Sequence, residues 1–158
     1  MGLKQMGPPA DLILHLQEHF ELTTFIETGT LHGTTAVWAA SFFETVATIE
    51  YSERLYERAV DQYGNVENIE FCFGDSRYVL SQIAPELSEA AVFWLDSHWC
   101  GGDSYGETDQ CPLIEEIRQI NRSAVGHFIL IDDARLLSCP PPLPNVIEQW
   151  PSITELVI

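Results

Sequence analysis

Five short apolar runs, Thr23 to Glu27, Thr45 to Glu50, Ile69 to Phe73, Ala91 to Leu95 and His127 to Ile131, alternate with helix-like segments along the chain. Parallel strands need a crossover between them, usually a helix, and a parallel sheet is buried on both faces, which is why its strands read as continuous apolar runs. The expected fold class is therefore α/β: a Rossmann-like, doubly wound, mostly parallel sheet with helices on both faces and right-handed connections. The helices read as Asp11 to Phe20, with Leu12, Leu14, Leu16 and Phe20 on one side, then Thr34 to Phe43, Ser52 to Tyr63 with Ser52 as cap, Asp75 or Ser76 to about Ile83, and Pro112 to Ile120.

Ligands of such sheets gather at the carboxyl ends of the strands. Here those ends read Glu27-Thr28-Gly29, Glu50-Tyr51, Gly74-Asp75, Asp96-Ser97-His98 and Asp132-Asp133, so a carboxylate stands at or next to every one. The first strand-to-helix turn, Phe25 to Thr35, has glycines that let backbone approach a ligand and a helix start whose N–H groups point at it. Glu50, at the end of the second strand, can accept hydrogen bonds from both hydroxyls of a ribose. A dinucleotide enzyme would carry G-x-G-x-x-G to pass its backbone close to a pyrophosphate, whereas this turn is G-x-x-x-G with Leu31 at the middle glycine's place. Glu27 would repel phosphate and suits a cationic amino group instead.

The segment Glu27-Thr28-Gly29-Thr30-Leu31-His32-Gly33-Thr34-Thr35 resembles motif I of class I S-adenosylmethionine-dependent methyltransferases, in the E-x-G-x-x-x-G-x-[ST] form of metal-assisted small-molecule O-methyltransferases. With the order of elements, the resemblance runs from Thr23 to Leu137. It implies that Glu27, Gly29, Thr30 and Gly33 line the methionine side of S-adenosylmethionine, that Glu50 holds the ribose, that Asp75 and Ser76 lie beside the adenine, and that Asp96 completes the cofactor site. For Asp75, capping of the following helix is the simpler alternative.

Asp96 and the pair Asp132-Asp133 end neighbouring strands, which lie about 5 Å apart. Three carboxylates there call for a cation, and oxygen ligands suit Mg²⁺ or Ca²⁺, which could lower the pKa of a substrate hydroxyl and orient it. Metal-assisted O-methyltransferases resemble this layout. Leu95 to Gly102 and Ile131 to Arg135 are closer to uncharacterised bacterial methyltransferase-like proteins, so the acceptor does not carry over. The metal-ligand candidates are Asp96, Asp132 and Asp133, and the catalytic candidates are Asp96, His98 as general base, and Asp132. The alternative is structural: Asp132 or Asp133 caps the next turn, Asp96 pairs with Arg135, and His98 bonds nearby backbone. Trp99 and Tyr105 could wall an acceptor, and the long polar loop Gly101 to Gln110 reads as a substrate lid or a surface excursion. His32 is expected at cofactor or solvent.

Asp and Glu number 24 against 7 Lys and Arg, a formal net charge of -17, which excludes a phosphate backbone as partner. No apolar run is long enough to span a membrane, and Met1 to Lys4 lack the apolar core of a secretory signal. The cysteines show no C-x-x-C spacing. A cytoplasmic location follows as the expectation, with Cys72 in the core and Cys100 and Cys111 more exposed. A thiol or zinc site at His98 and Cys100 is the alternative.

After Cys139-Pro140-Pro141-Pro142-Leu143-Pro144 only Pro151 to Ile158 remain for closing strands. Either the chain is truncated or the sheet is shortened, and an open edge favours a homo-oligomer. The sequence thus points to a single methyltransferase-like domain over residues 1–158, O-methylating a small hydroxylated acceptor with S-adenosylmethionine and a divalent cation. The rivals are a non-catalytic nucleotide-binding or interaction module of the same fold and a dinucleotide or sugar-nucleotide enzyme.

Overall fold

A computed structural model describes residues 7–99, 101, 106–139 and 141–156. Cys100, Gly102, Tyr105, Pro140, Val157 and Ile158, which figure in the readings above, lie outside the described residues. The elements follow one another as α1 (Ala10–Phe20), β1 (Thr24–Thr28), α2 (Thr34–Ala39), β2 (Thr45–Glu50), α3 (Glu53–Tyr63), β3 (Ile69–Phe73), α4 (Ser76–Ile83), β4 (Val92–Leu95), α5 (Leu113–Ile120), β5 (Phe128–Ile131) and α6 (Ile153–Leu156). All five strands pair in parallel in the order β3-β2-β1-β4-β5. The order reverses between β1 and β4, so the crevice expected for a ligand opens above those two strands.

Two apolar cores sandwich the sheet. Phe25, Val46, Val92 and Trp94 face Ile13 of α1 and Ala36 and Ala39 of α2. Ile26, Ala47, Ile49, Phe93 and Leu95 face Leu80 of α4 and Leu113 and Ile120 of α5. Successive strand residues point to opposite faces, and the continuous apolar runs supply both cores at once. Burying each large side chain such as Phe25 or Phe93, both fully buried, contributes on the order of 2–3 kcal/mol.

Two expectations for the helices change. In α1 the buried residue is Ile13, with Leu16 packed beside it, while Leu12 and Phe20 are half exposed. The stripe that meets the sheet thus starts at Ile13, and Phe20 reaches only the Phe128 ring at the edge strand, 4.7 Å away. Helix α2 stops at Ala39 instead of Phe43, because the chain turns to bury Phe43 against Phe25, with ring centroids 5.3 Å apart. Ser52 takes the N-cap position of α3 without a side-chain capping bond. The β5 residues are each partly exposed, and among the described residues no strand pairs with their outer edge.

Candidate functional site: a row of carboxylates at the strand ends

Register and alternation place Glu27, Thr48, Glu50, Asp96 and Asp132 on the same face of the sheet, that of α1 and α2, at its carboxyl end. Glu27 is buried within the sheet and accepts the Thr48 hydroxyl at 2.7 Å, and Thr48 is 2.6 Å from the Thr30 hydroxyl. Burial pushes the Glu27 carboxyl up from 4.5 to about 8; the bonds from Thr48 and Thr35 pull it down, and Glu50 pushes it further up. Glu50 is aimed differently. Its Oε2 accepts the Leu31 N–H at 2.9 Å and its Oε1 the Ser52 N–H at 2.8 Å, so the carboxylate is fixed at the rim of the β1–α2 turn. Exposed Tyr51 and Phe73, both about half accessible, flank it and offer an apolar seat for a nucleoside.

The turn itself owes its glycines to packing as much as to ligand approach. Gly29 has φ +87°, and a Cβ there would stand 2.4 Å from the Asp96 carbonyl oxygen. Gly33 has φ +73°, and its Cβ would press on the Tyr63 ring at 3.0 Å. The first glycine therefore locks the β1 turn against the end of β4, which brings the two halves of the site together. His32 lies exposed on this turn.

Asp75 is placed as the capping reading anticipated, its Oδ1 accepting the Arg77 N–H at 2.9 Å. It also carries the Arg77 guanidinium, whose NH1 reaches Asp109 of the β4–α5 loop at 2.6 Å. Ser76 is turned inward, with its hydroxyl on Glu116.

Asp96, His98 and Asp132 each offer one ligand atom within 4.8 Å of the others. Burial and the neighbouring Asp132 push the Asp96 carboxyl up to about 8. Two adjacent carboxyls beside an imidazole form a donor set of two oxygens and a nitrogen, where a divalent cation could offset the repulsion between the carboxylates. His98 Nδ1 lies 3.5 Å from Asp96 and Nε2 lies 3.6 Å from Asp133. Burial lowers the His98 pKa, against the pull of Asp133 and Asp132. Asp133 has φ +49° and binds Arg135 at 2.6 Å, so the partner of Arg135 is Asp133 and not Asp96.

Three site residues escaped the sequence reading. Trp150 packs over His98, with ring centroids 5.5 Å apart. Buried Gln110 holds Trp150 there, its Oε1 accepting the indole N–H at 3.1 Å and the Val146 N–H at 2.8 Å. Buried Glu116 of α5 accepts the Ser97 hydroxyl at 2.6 Å. A signal for Glu116 existed, since its spacing from Leu113 and Ile120 places it on the apolar stripe of the helix. Cys72 and Cys111 are half-buried, and burial pushes both thiols up to about 11, which leaves them poor nucleophiles.

No protein-family model and no curated protein sequence matches the chain. Solved structures do. The O-methyltransferase TomG from Streptomyces achromogenes, in complex with SAM, superposes with a TM-score of 0.62 at 17% identity over 90% of this chain and 64% of its own. A provisionally assigned O-methyltransferase from Klebsiella pneumoniae gives 0.66 at 14% identity over 99% and 70%. The Bacillus cereus O-methyltransferase, in complex with SAH, gives 0.62 at 19% identity over 86% and 61%. The chain thus spans about two thirds of the length of the structures it matches. With the parallel sheet, its strand order and the turn after β1, these likenesses give this chain the fold of the class I S-adenosylmethionine-dependent O-methyltransferases.

Proposed function

We propose that the protein is an S-adenosylmethionine-dependent methyltransferase that O-methylates a small, uncharged or cationic hydroxylated acceptor with the help of a divalent cation. The observation that carries this reading is the row of carboxylates Glu50, Glu27, Asp96 and Asp132 on one face of adjacent strand ends. Each member has a chemically distinct task. Glu50, with both oxygens anchored by backbone N–H groups, presents its remaining lone pairs to ribose hydroxyls. Glu27 balances the charge of the cofactor's amino group. Bound there, S-adenosylmethionine supplies a sulfonium methyl group for transfer to an oxygen nucleophile.

Asp96, His98 and Asp132 would hold the cation, with Asp133 behind His98. A cation in that set supplies Lewis acidity toward the acceptor hydroxyl. With those three side chains on the cation, Asp133 and solvent are left to take up the proton the hydroxyl loses. Next to Asp132 a cavity of about 370 Å³ is lined by Gly7, Pro9, Trp94, Leu130 and Ile131. That is room for a ring or two with an apolar body. Neither Lys nor Arg lines it among the described residues, and its one charged group is the Asp132 carboxylate, so a multiply phosphorylated acceptor would find no cation there.

Incubation with methyl-labelled S-adenosylmethionine and a panel of catechols, hydroxylated arenes and sugars tests the reading. Label transfer that needs Mg²⁺, stops with EDTA and is lost in Asp132→Ala is the expected result. No transfer to any acceptor, together with no S-adenosylhomocysteine binding, would favour the non-catalytic module.

A further inference from the structure

Among the described residues Glu116 is the one fully buried carboxyl on the opposite face of the sheet from the carboxylate row, and the chemistry proposed above makes no use of it. Three hydroxyls face it. Ser97 donates to Oε1 at 2.6 Å, and the Ser76 and Thr28 hydroxyls lie close enough to the same carboxyl to pull its pKa down. Each of the three stands next in sequence to a residue of the candidate site: Thr28 before Gly29, Ser76 after Asp75, Ser97 after Asp96. They end or follow three different strands, β1, β3 and β4. Thr28 extends the link, since its Oγ1 also accepts the Asp96 N–H at 3.3 Å.

We infer that Glu116 is a positioning residue of the cofactor site: from helix α5 it gathers Thr28, Ser76 and Ser97, and so sets the spacing of the three strand-end turns that meet the ligand. The inference rests on the reading that this end of the sheet binds S-adenosylmethionine. Three turns from separate strands have no covalent reason to hold a common spacing, and strand pairing stops at Thr28, Phe73 and Leu95. Past those residues single backbone bonds tie neighbouring turns in pairs, Gly29 N–H to Ile49, Gly74 N–H to Glu50 and Asp96 N–H to Thr28, whereas Glu116 is a side chain that faces all three turns at once. A ligand that bridges β1, β3 and β4 depends on that spacing to a fraction of an ångström. Burial holds the Glu116 carboxyl above its usual range, and glutamine copies its shape while keeping one acceptor oxygen for the Ser97 hydroxyl.

Calorimetric titration with S-adenosylhomocysteine separates positioning from mere stability. The parent chain, Glu116→Ala, Glu116→Gln and the double variant Ser76→Ala/Ser97→Ala are compared, with thermal unfolding run on each. Glu116→Ala is expected to bind at least about tenfold more weakly, and Glu116→Gln to recover to within about threefold of the parent. A purely structural hub would lower the melting temperature and leave the affinity of the folded fraction alone. Parent-like affinity in folded Glu116→Ala would overturn the inference while leaving the cofactor reading intact. If Glu116→Ala does not fold, the double variant decides: weakened binding supports the hub, and parent-like binding overturns it. No binding by the parent itself would overturn the reading of the site and this inference with it.

Discussion

Thr48 donates its hydroxyl proton to Glu27 at 2.7 Å across the paired strands β2 and β1, inside a sheet that leaves Glu27 almost no solvent. The Thr48 and Thr35 hydroxyls do not offset the desolvation of a carboxylate, so the neutral acid is favoured and its pKa rises to about 8. The sign follows from linkage. A group whose folded pKa is raised contributes stability that is fully present below the unfolded value and is lost as pH rises through the folded one. Stability of the ligand-free protein should therefore fall between about pH 5 and pH 9, by up to a few kcal/mol from this group. Urea midpoints of Glu27→Gln should fall less over the same window. Parallel curves for parent and variant would remove Glu27 as the cause.

Gly29→Ala should be among the more damaging single changes in the site. The new methyl would meet the Asp96 carbonyl oxygen at 2.4 Å, and φ +87° is a conformation that L-residues rarely adopt. A cost of about 2–3 kcal/mol, or roughly 4–12 °C in melting temperature, is expected. Thermal unfolding followed by circular dichroism measures it, and an unchanged midpoint would mean the β1 turn and the end of β4 are not packed this closely.

Mn²⁺ as a spin probe tests the cation site by residue. Asp96→Asn and Asp132→Asn should each weaken Mn²⁺ binding by at least about tenfold, as loss of a ligand requires. Asp133→Asn should cost less, because Asp133 already binds Arg135 at 2.6 Å. An equal loss from all three would place Asp133 among the ligands, and parent-like affinity in all three would remove the cation from this cluster.

Gln110→Leu should free the segment carrying Trp150. The substitution removes the acceptor of the Val146 and Trp150 N–H bonds and leaves two donors to find water. At about 1–3 kcal/mol for the pair, amide exchange at Val146 should accelerate about 5- to 150-fold. Unchanged exchange would show the segment to be held by other contacts.

Much of this was written in local pattern. The strand runs carried both cores because a parallel sheet needs apolar residues on both faces. The carboxylates at the strand ends were visible since a charge that closes an apolar run has nowhere to sit but the sheet's rim. Glu27 and Glu50 were legible for that reason. Glu116 was not singled out, because a helix of the sequence Leu-Ile-Glu-Glu-Ile-Arg-Gln-Ile looks like a solvated surface helix until Thr28, Ser76 and Ser97 are brought to it by three separate strands. Trp150 and Gln110 meet across 40 positions, a contact that no periodicity encodes. The early end of α2 has the same origin, since the Phe43 position is set by Phe25 on a neighbouring strand and not by helix propensity.

The central claim is that Glu50 and the turn it anchors form a cofactor site, and calorimetric titration of the parent and Glu50→Ala with S-adenosylhomocysteine tests it most directly. Charge-assisted hydrogen bonds to a ribose are worth about 1.5–3 kcal/mol, so the variant should bind roughly 10- to 150-fold more weakly than a parent that binds one equivalent. Equal binding by both chains, or none by the folded parent, would contradict the account.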